Sequence, residues 1–183
     1  MLSESPATKQ LLKRIERAFA HRRIPAEVVV MEGRLQVDSD IEDGLWFQGK
    51  DWREISKEDW EQHYCGLSYF SAEAFAYYLP SILILTIRDP RNSPDLAVDS
   101  FVWQLDSSPG VENLGPFSDR YFEFTDDEFE AVKEWLLWAC ENKPGVFYGR
   151  AVNGPGDGFG RAFDSLDLLH KEAVKRRASE LEM

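Results

Sequence analysis

The side chains that carry most enzyme chemistry are few in this chain. Histidine occurs as His21, His63 and His170, and cysteine as Cys65 and Cys140. His63 and Cys65 are two positions apart, and such residues on a helix point to different sides, so they do not indicate a nucleophilic pair. Structural zinc sites usually take four ligands at spacings such as C-x-x-C, which the sequence lacks. We therefore expect no catalytic residue, no cofactor and no metal.

Acidic residues gather at the start of one predicted helix, at Asp126, Asp127, Glu128 and Glu130. Such a cluster can attract a cation, but a calcium loop also needs alternating acids, a central glycine and a final glutamate. Acids at a helix N-terminus stabilise the helix by about 0.3–1 kcal/mol each. Thr125 and Glu128 also have the spacing of a capping box. The cluster is therefore interpreted as a helix start.

One glycine-rich segment, Gly154 to Arg161, follows an apolar stretch and precedes a predicted helix, which is the layout of a phosphate-binding loop. Its spacing matches neither G-x-G-x-x-G nor G-x-x-x-x-G-K-[ST]. Too little chain follows it to build a dinucleotide-binding fold. We interpret the segment as a flexible connection.

The formal net charge of −12 is unevenly distributed along the chain. Residues 1–23 carry +4, residues 24–170 carry −17, and the last 13 residues carry +1. An acidic body repels nucleic-acid backbones, so we expect no nucleic-acid partner. The basic first helix is expected to dock on its own acidic body.

The expected function is non-enzymatic binding of another protein, and an acidic body favours a basic partner. A concrete version is an immunity-type or antitoxin-like inhibitor. The alternative is an enzyme whose site is assembled from non-adjacent residues such as His63, Glu73 and Asp89. A third hypothesis is that the protein forms a homodimer with Trp46 or Trp138 at its interface.

Two kinds of side chain define a candidate interaction surface. The adjacent tyrosines at 77 and 78 can each place a hydroxyl at a wet edge. Trp138 lies about opposite Phe129 on its helix, so it is either covered by a second layer or exposed. The candidate surface consists of Tyr77, Tyr78, Asp126, Asp127, Glu130 and Trp138.

The stretch that must organise the fold is Ser71 to Asp89, the most apolar part of the chain. Ser71 can cap a helix, and Pro80 is expected to break or kink it. The segment Ile82 to Ile87 has no polar face, so it is buried either as a helix or as a strand; Pro80 at a first-turn position favours a helix. The stretch is too short to cross a bilayer, which needs about 20 apolar residues.

Helical periodicity recurs on both sides of this stretch, which predicts a mainly α, single-domain helical bundle with a kinked central helix and at most a short β-hairpin. The predicted elements are a helix from Ser5-Pro6 to about Arg22, a hairpin over Val28–Val37, helices at Asp40–Gln48 and from Ser56 to about Tyr64, a helix starting at Asp95, a helix Asp126–Asn142, and a C-terminal helix from Ala162 to about Leu181 with Phe163, Leu166, Leu169, His170 and Val174 inward.

Several short motifs resemble those of an uncharacterised bacterial family. They are an I-E-x-A-F start at Ile15, a W-R-x-[IL] turn at Trp52, an F-x-x-E-x-F-x-Y-Y-L-P core at Phe70 and a D-P turn at Asp89. The resemblance covers about residues 15–140 and implies no assigned activity. The length of the chain suits one domain over 1–183, in which residues from about 143 form a C-terminal extension. The N-terminus lacks the layout of a signal peptide, so the cytoplasm is the expected location.

Overall fold

A computed structural model of the chain describes residues 5–30, 39–105, 118–143 and 157–181. These residues form seven α-helices: α1 (Pro6–Ala18), α2 (Ser39–Leu45), α3 (Lys57–His63), α4 (Ala72–Arg88), α5 (Asp95–Leu105), α6 (Asp126–Asn142) and α7 (Asp157–Leu181). Short 3₁₀ helices lie at Trp52–Glu54, Tyr64–Ser68 and Ser118–Glu123. The mainly α prediction is therefore confirmed. None of the described helices is both long enough and apolar enough to cross a membrane.

Helix α4 is the most deeply buried helix that the structure describes, and α1, α3, α5 and the 3₁₀ helices Trp52–Glu54 and Ser118–Glu123 pack against it. The Ser71 side chain accepts a hydrogen bond from the amide of Ala74, so the predicted cap is present. The helix continues through Pro80 to Arg88, and the apolar segment after the proline is helical rather than extended. Nearly every residue from Ala74 to Ile87 is buried, as a helix without a polar face must be.

Buried hydroxyl groups on α4 are satisfied within the core. Ser81 Oγ donates to the Tyr78 carbonyl at 2.7 Å and accepts from the indole Nε1 of Trp60 at 2.9 Å. Thr86 Oγ1 donates to the Ile82 carbonyl at 2.7 Å. These buried hydroxyl groups therefore do not incur the energetic cost of an unsatisfied hydrogen-bonding group.

The basic helix α1 docks on the acidic helix α6, as its charge predicts. Ser5 caps α1 by accepting from the amide of Thr8, and Pro6 occupies the first turn. Arg14 forms an ion pair with Glu134. The chain just after α1 contributes Arg22, which binds Glu128 at the start of α6.

The region before α4 is shaped by one close approach between glycines. A Cβ atom on Gly66 would lie 2.7 Å from the Cα atom of Gly44, so any larger residue would push α2 away from the 3₁₀ helix that contains Gly66. An antiparallel bridge joins Val29 to Phe70. Most of the predicted hairpin, residues 31–37, lies outside the described residues.

Helix α7 is part of the core rather than an appendage. It begins at Asp157, so the second half of the glycine-rich segment is helical and not a flexible connection. Its buried residues are Phe159, Ala162, Leu166, Leu169 and Ala173. Val174, which was predicted to face inward, is 46 % exposed. The C-terminal extension therefore covers α5 and α6. Near its end, the buried face of α7 is shifted by one residue from the predicted stripe, since Ala173 is buried in place of Val174.

Candidate functional site

A groove of about 680 Å³ runs between α1 and α6 on the surface of the molecule. The Arg14–Glu134 ion pair connects the two helices, and both of its side chains line the groove. This volume falls within the range of ligand-binding clefts. The groove is open along its length, which suits an extended or helical occupant better than an enclosed small molecule.

The floor of this groove contains two large apolar side chains from α6. Leu137 is 51 % exposed, and Trp138 is partly buried against the core. The indole Nε1 of Trp138 is inaccessible to solvent and has no hydrogen-bond acceptor. Tryptophan usually finds a partner for this donor when it is buried. The base of the groove is therefore an apolar strip, beneath which an indole N–H lies buried without an acceptor.

The two walls of the groove carry opposite charges. The α1 wall presents Lys13 and Arg17, and the α6 wall presents Asp127 and Glu141. All four side chains belong to exposed residues. A bound segment would therefore meet a basic edge on one side and an acidic edge on the other.

The predicted surface residues divide into three groups in the structure. Asp127 and Trp138 line the groove. Asp126 and Glu130 face α7 instead, where Nε2 of His170 lies 2.9 Å from Asp126 Oδ1 and Nδ1 lies 3.5 Å from Glu130 Oε1. The hydrogen bond with His170, together with the guanidinium of Arg177, holds the pKa of Asp126 below its ordinary value. Asp126 and Glu130 thus help to attach α7.

The two predicted surface tyrosines lie in the core and not on the molecular surface. Tyr77 is 2 % exposed and Tyr78 is fully buried. The Tyr78 hydroxyl donates to the carbonyls of Phe47 and Lys50, at 2.5 Å and 3.0 Å. Burial is the main reason that the pKa of Tyr78 is raised. The hydroxyl ties α4 to the turn after α2 and is not available to a partner.

The residues named for the enzyme alternative do not converge. Glu73 and Asp89 lie at opposite ends of α4, about 24 Å apart at 1.5 Å per residue. His63 is nearly buried, with its Nδ1 3.0 Å from Asp43 Oδ1 and its ring stacked on Trp46. Across the described ranges, no group of three or more histidine, cysteine, aspartate or glutamate side chains is placed to hold a metal ion.

A buried ionisable cluster, which sequence reasoning missed, joins the start of α5 to the end of α6. The side chain of Lys143 is 1 % exposed, and its Nζ donates to Ser93 Oγ at 2.8 Å and to Asp95 Oδ1 at 2.6 Å. Both carboxylate oxygens of Asp99, one turn along α5, are inaccessible and have no hydrogen-bond partner. Burial and the charge of Asp95 raise the pKa of Asp99 to about 7, against the opposing effect of Lys143.

Arg120 is a second residue whose role the sequence did not reveal. Its guanidinium donates to the carbonyls of Leu67, Ser68 and Phe70 and to the side chain of Gln104, at 3.0–3.3 Å. Burial lowers its pKa. Carbonyls at the end of a 3₁₀ helix are otherwise left without donors, so Arg120 acts as a structural clamp. No sequence pattern signals a contact between residues about 50 positions apart.

Comparison with known proteins supports the resemblance noted in the sequence. No curated protein and no solved structure matches the chain. A model of a family of unknown function, DUF6714, matches residues 7–144, which include both helices of the groove and end just after Lys143. Because the match covers most of the sequence, this chain belongs to the DUF6714 family of unknown function.

Proposed function

We propose that this protein is a non-enzymatic binding module that accepts an amphipathic helix of another protein in the groove between α1 and α6. The observation that carries the proposal is the strip of exposed Leu137 and partly buried Trp138 on the groove floor. Amphipathic helices bind grooves through apolar residues at helical spacing. Tryptophan is among the side chains that most often anchor protein–protein contacts.

The charges of the two walls define the chemistry of the bound helix. Its apolar ridge would be flanked by acidic residues facing Lys13 and Arg17 and by basic residues facing Asp127 and Glu141. This arrangement fixes the direction of the helix in the groove, because the reversed helix would place like charges together.

The overall charge adds a second element to the proposal. A protein with a net charge of −12 attracts a partner of net positive charge over a longer range than the groove itself. An immunity-type or antitoxin-like inhibitor, which must capture a basic protein quickly, fits this combination. Attraction of this kind accelerates association and is screened by salt.

The test compares two substitutions of exposed aliphatic residues in a pull-down from lysate of the source organism. Leu137→Asp places a charge on the groove floor, whereas Val174→Asp places the same charge on α7, at a position of similar exposure. A partner identified with the unmodified protein is then measured against both variants. We expect Leu137→Asp to weaken binding at least about tenfold, equivalent to 1.4 kcal/mol, and Val174→Asp to leave it unchanged.

Two further measurements test whether the partner binds as a helix and whether its positive charge accelerates association. A partner that binds through a helix should be reduced to a peptide of about 15–20 residues that retains binding. Raising the salt concentration should slow association with a basic partner more than it changes dissociation. Equal binding by the Leu137→Asp and Val174→Asp variants would show that the groove is not the binding site.

A further inference from the structure

A second cavity, of about 380 Å³, lies on another part of the surface, between α1, the 3₁₀ helix Trp52–Glu54 and α4. Its apolar lining comes from Trp52, Ile55, Ile84 and Leu85. The W-R-x-[IL] turn, which the sequence singled out without a role, supplies three of the lining residues, including Arg53. The cavity is large enough for a small organic molecule.

The positive charge in this cavity comes from two arginines in different situations. Arg53 is committed to local contacts, since its Nη1 lies 3.2 Å from Asp51 Oδ1 and its guanidinium lies 4.5 Å from the centre of the Trp52 ring. Arg88, in the last turn of α4, is exposed. Its guanidinium forms no hydrogen bond or ion pair with any residue that the structure describes. Arg88 is therefore the cation available to a ligand.

The remaining polar groups of the cavity limit the ligand further. Glu16 on α1 lines the same cavity and would repel a ligand that carries two negative charges. Trp52 is 4 % exposed, and its indole Nε1 has no hydrogen-bond partner. One uncommitted guanidinium and one nearby acid favour a monoanion over a phosphate dianion.

We infer that this cavity binds a small carboxylic acid with an apolar body, whose carboxylate pairs with Arg88 and whose hydrocarbon part packs on Trp52 and Ile84. A guanidinium binds a planar carboxylate through two parallel hydrogen bonds, which gives the contact a defined orientation. The apolar lining supplies the rest of the affinity by burial of hydrocarbon surface. This site is separate from the groove between α1 and α6, so it does not depend on the proposed protein partner.

The inference is tested with hexanoate as the probe and 1-hexanol as its uncharged counterpart. Both are titrated into the full chain, labelled with ¹⁵N, and followed by the amide signals of α4 and the indole N–H signal of Trp52. A ligand of this size should bind with a Kd of about 1 mM. We expect hexanoate to shift the Trp52 signal and the signals near Arg88, and 1-hexanol to bind at least about fivefold more weakly.

Matched variants separate the carboxylate contact from unspecific attraction. Arg88→Gln removes the proposed anchor, while Arg91→Gln removes an exposed arginine three positions further on that does not line the cavity. Circular dichroism is used to check that both variants keep the helical fold. We expect Arg88→Gln to weaken hexanoate binding at least about fivefold and Arg91→Gln to change it by less than about twofold. Equal binding of hexanoate and 1-hexanol, equal effects of the two variants, or no saturable shift with hexanoate would each overturn the inference.

Discussion

Arg22 and Glu128 form a two-point ion pair that joins the segment after α1 to the first turn of α6. Nε and Nη2 of Arg22 donate to Oε1 and Oε2 of Glu128, each at 2.7 Å. The Glu128 side chain is completely buried, and its Oε2 also accepts from the amide of Thr125 in the capping box. One carboxylate thus satisfies a guanidinium and a helix N-terminus together. The geometry is that of the strongest charge-assisted hydrogen bonds in proteins.

Glu128→Gln is expected to destabilise the protein substantially. The amide keeps the size of the side chain but leaves the Arg22 guanidinium without its counter-charge in a buried position. Removing one member of a buried pair costs about 3–5 kcal/mol. The free energy of unfolding in urea measures the effect. Glu123→Gln is the control, because only its main-chain carbonyl contacts Arg22, and it should cost less than about 0.5 kcal/mol. Similar costs for the two variants would show that the ion pair contributes little.

Asp99 is expected to make stability fall as the pH rises. Its pKa is raised to about 7 in the folded protein from an ordinary value of 3.8, mainly by burial. Between these two values the folded state holds a proton that the unfolded state has released. Stability from this group is therefore complete below about pH 4 and is lost by about pH 7, at up to 1.4 kcal/mol per pH unit. Urea unfolding from about pH 5 to pH 8.5 measures the slope.

Asp99→Asn should remove this part of the pH dependence. The variant is expected to gain stability relative to the unmodified protein as the pH rises from about 5 to 8.5. Asp119→Asn, at an exposed position, serves as the control and should follow the unmodified protein. Because Lys143 lowers the pKa of Asp99, Lys143→Met should move the loss of stability to higher pH. Parallel pH profiles for Asp99→Asn and the unmodified protein would contradict the assignment.

Local patterns in the sequence were sufficient to place four helix starts, although the C-terminal helix was predicted to start at Ala162 and starts at Asp157. Ser5, Ser56, Ser71 and Thr125 each cap a helix as predicted, because a cap depends on side chains only three positions apart. The charge of the first helix predicted that it docks on the acidic body of the chain, but not that α6 would be the helix it contacts. These interactions are specified by short segments or by charge alone, so no knowledge of the fold is required.

Contacts between distant segments could not be predicted from the sequence. Tyr77 and Tyr78 were assigned to a surface from their hydroxyl groups, whereas both are buried in the core and the carbonyls of Phe47 and Lys50 accept from the Tyr78 hydroxyl. The ion pair between buried Lys143 and partly exposed Asp95 joins positions 48 apart. Val174 was assigned to the core by periodicity, whereas Ala173 occupies that place because the contact with neighbouring helices sets the phase of α7. The groove itself exists only once α1 and α6 are packed together.

Removal of two buried tyrosine hydroxyls is expected to have different effects on the stability of the protein. Tyr78→Phe removes the hydroxyl that donates to both carbonyls; the Phe47 carbonyl keeps its bond from the Lys50 amide, whereas the Lys50 carbonyl loses its hydroxyl donor, and the change should cost about 1–3 kcal/mol. The Tyr121 hydroxyl is equally buried but has no hydrogen-bond partner. Tyr121→Phe should therefore be neutral or stabilise the protein by about 1 kcal/mol. Each variant is the control for the other, and thermal unfolding distinguishes them. A loss of stability of the same size in both would contradict the hydrogen bonds assigned to Tyr78.

Helix α7 is expected to be essential to the core although it lies beyond the family match. Phe159 is 1 % exposed, and its ring meets that of Trp135 at 5.9 Å in an edge-to-face arrangement. Phe159→Ala should cost about 3–5 kcal/mol through lost burial and the cavity left behind. It should also alter the near-ultraviolet circular dichroism of the tryptophans. Val174→Ala, on the same helix at an exposed position, should cost less than about 0.5 kcal/mol. Equal and small effects of the two variants would show that residues 7–144 complete their core without α7. The contact between Phe159 and Trp135 predicts the opposite, because it places α7 against a buried side chain of α6.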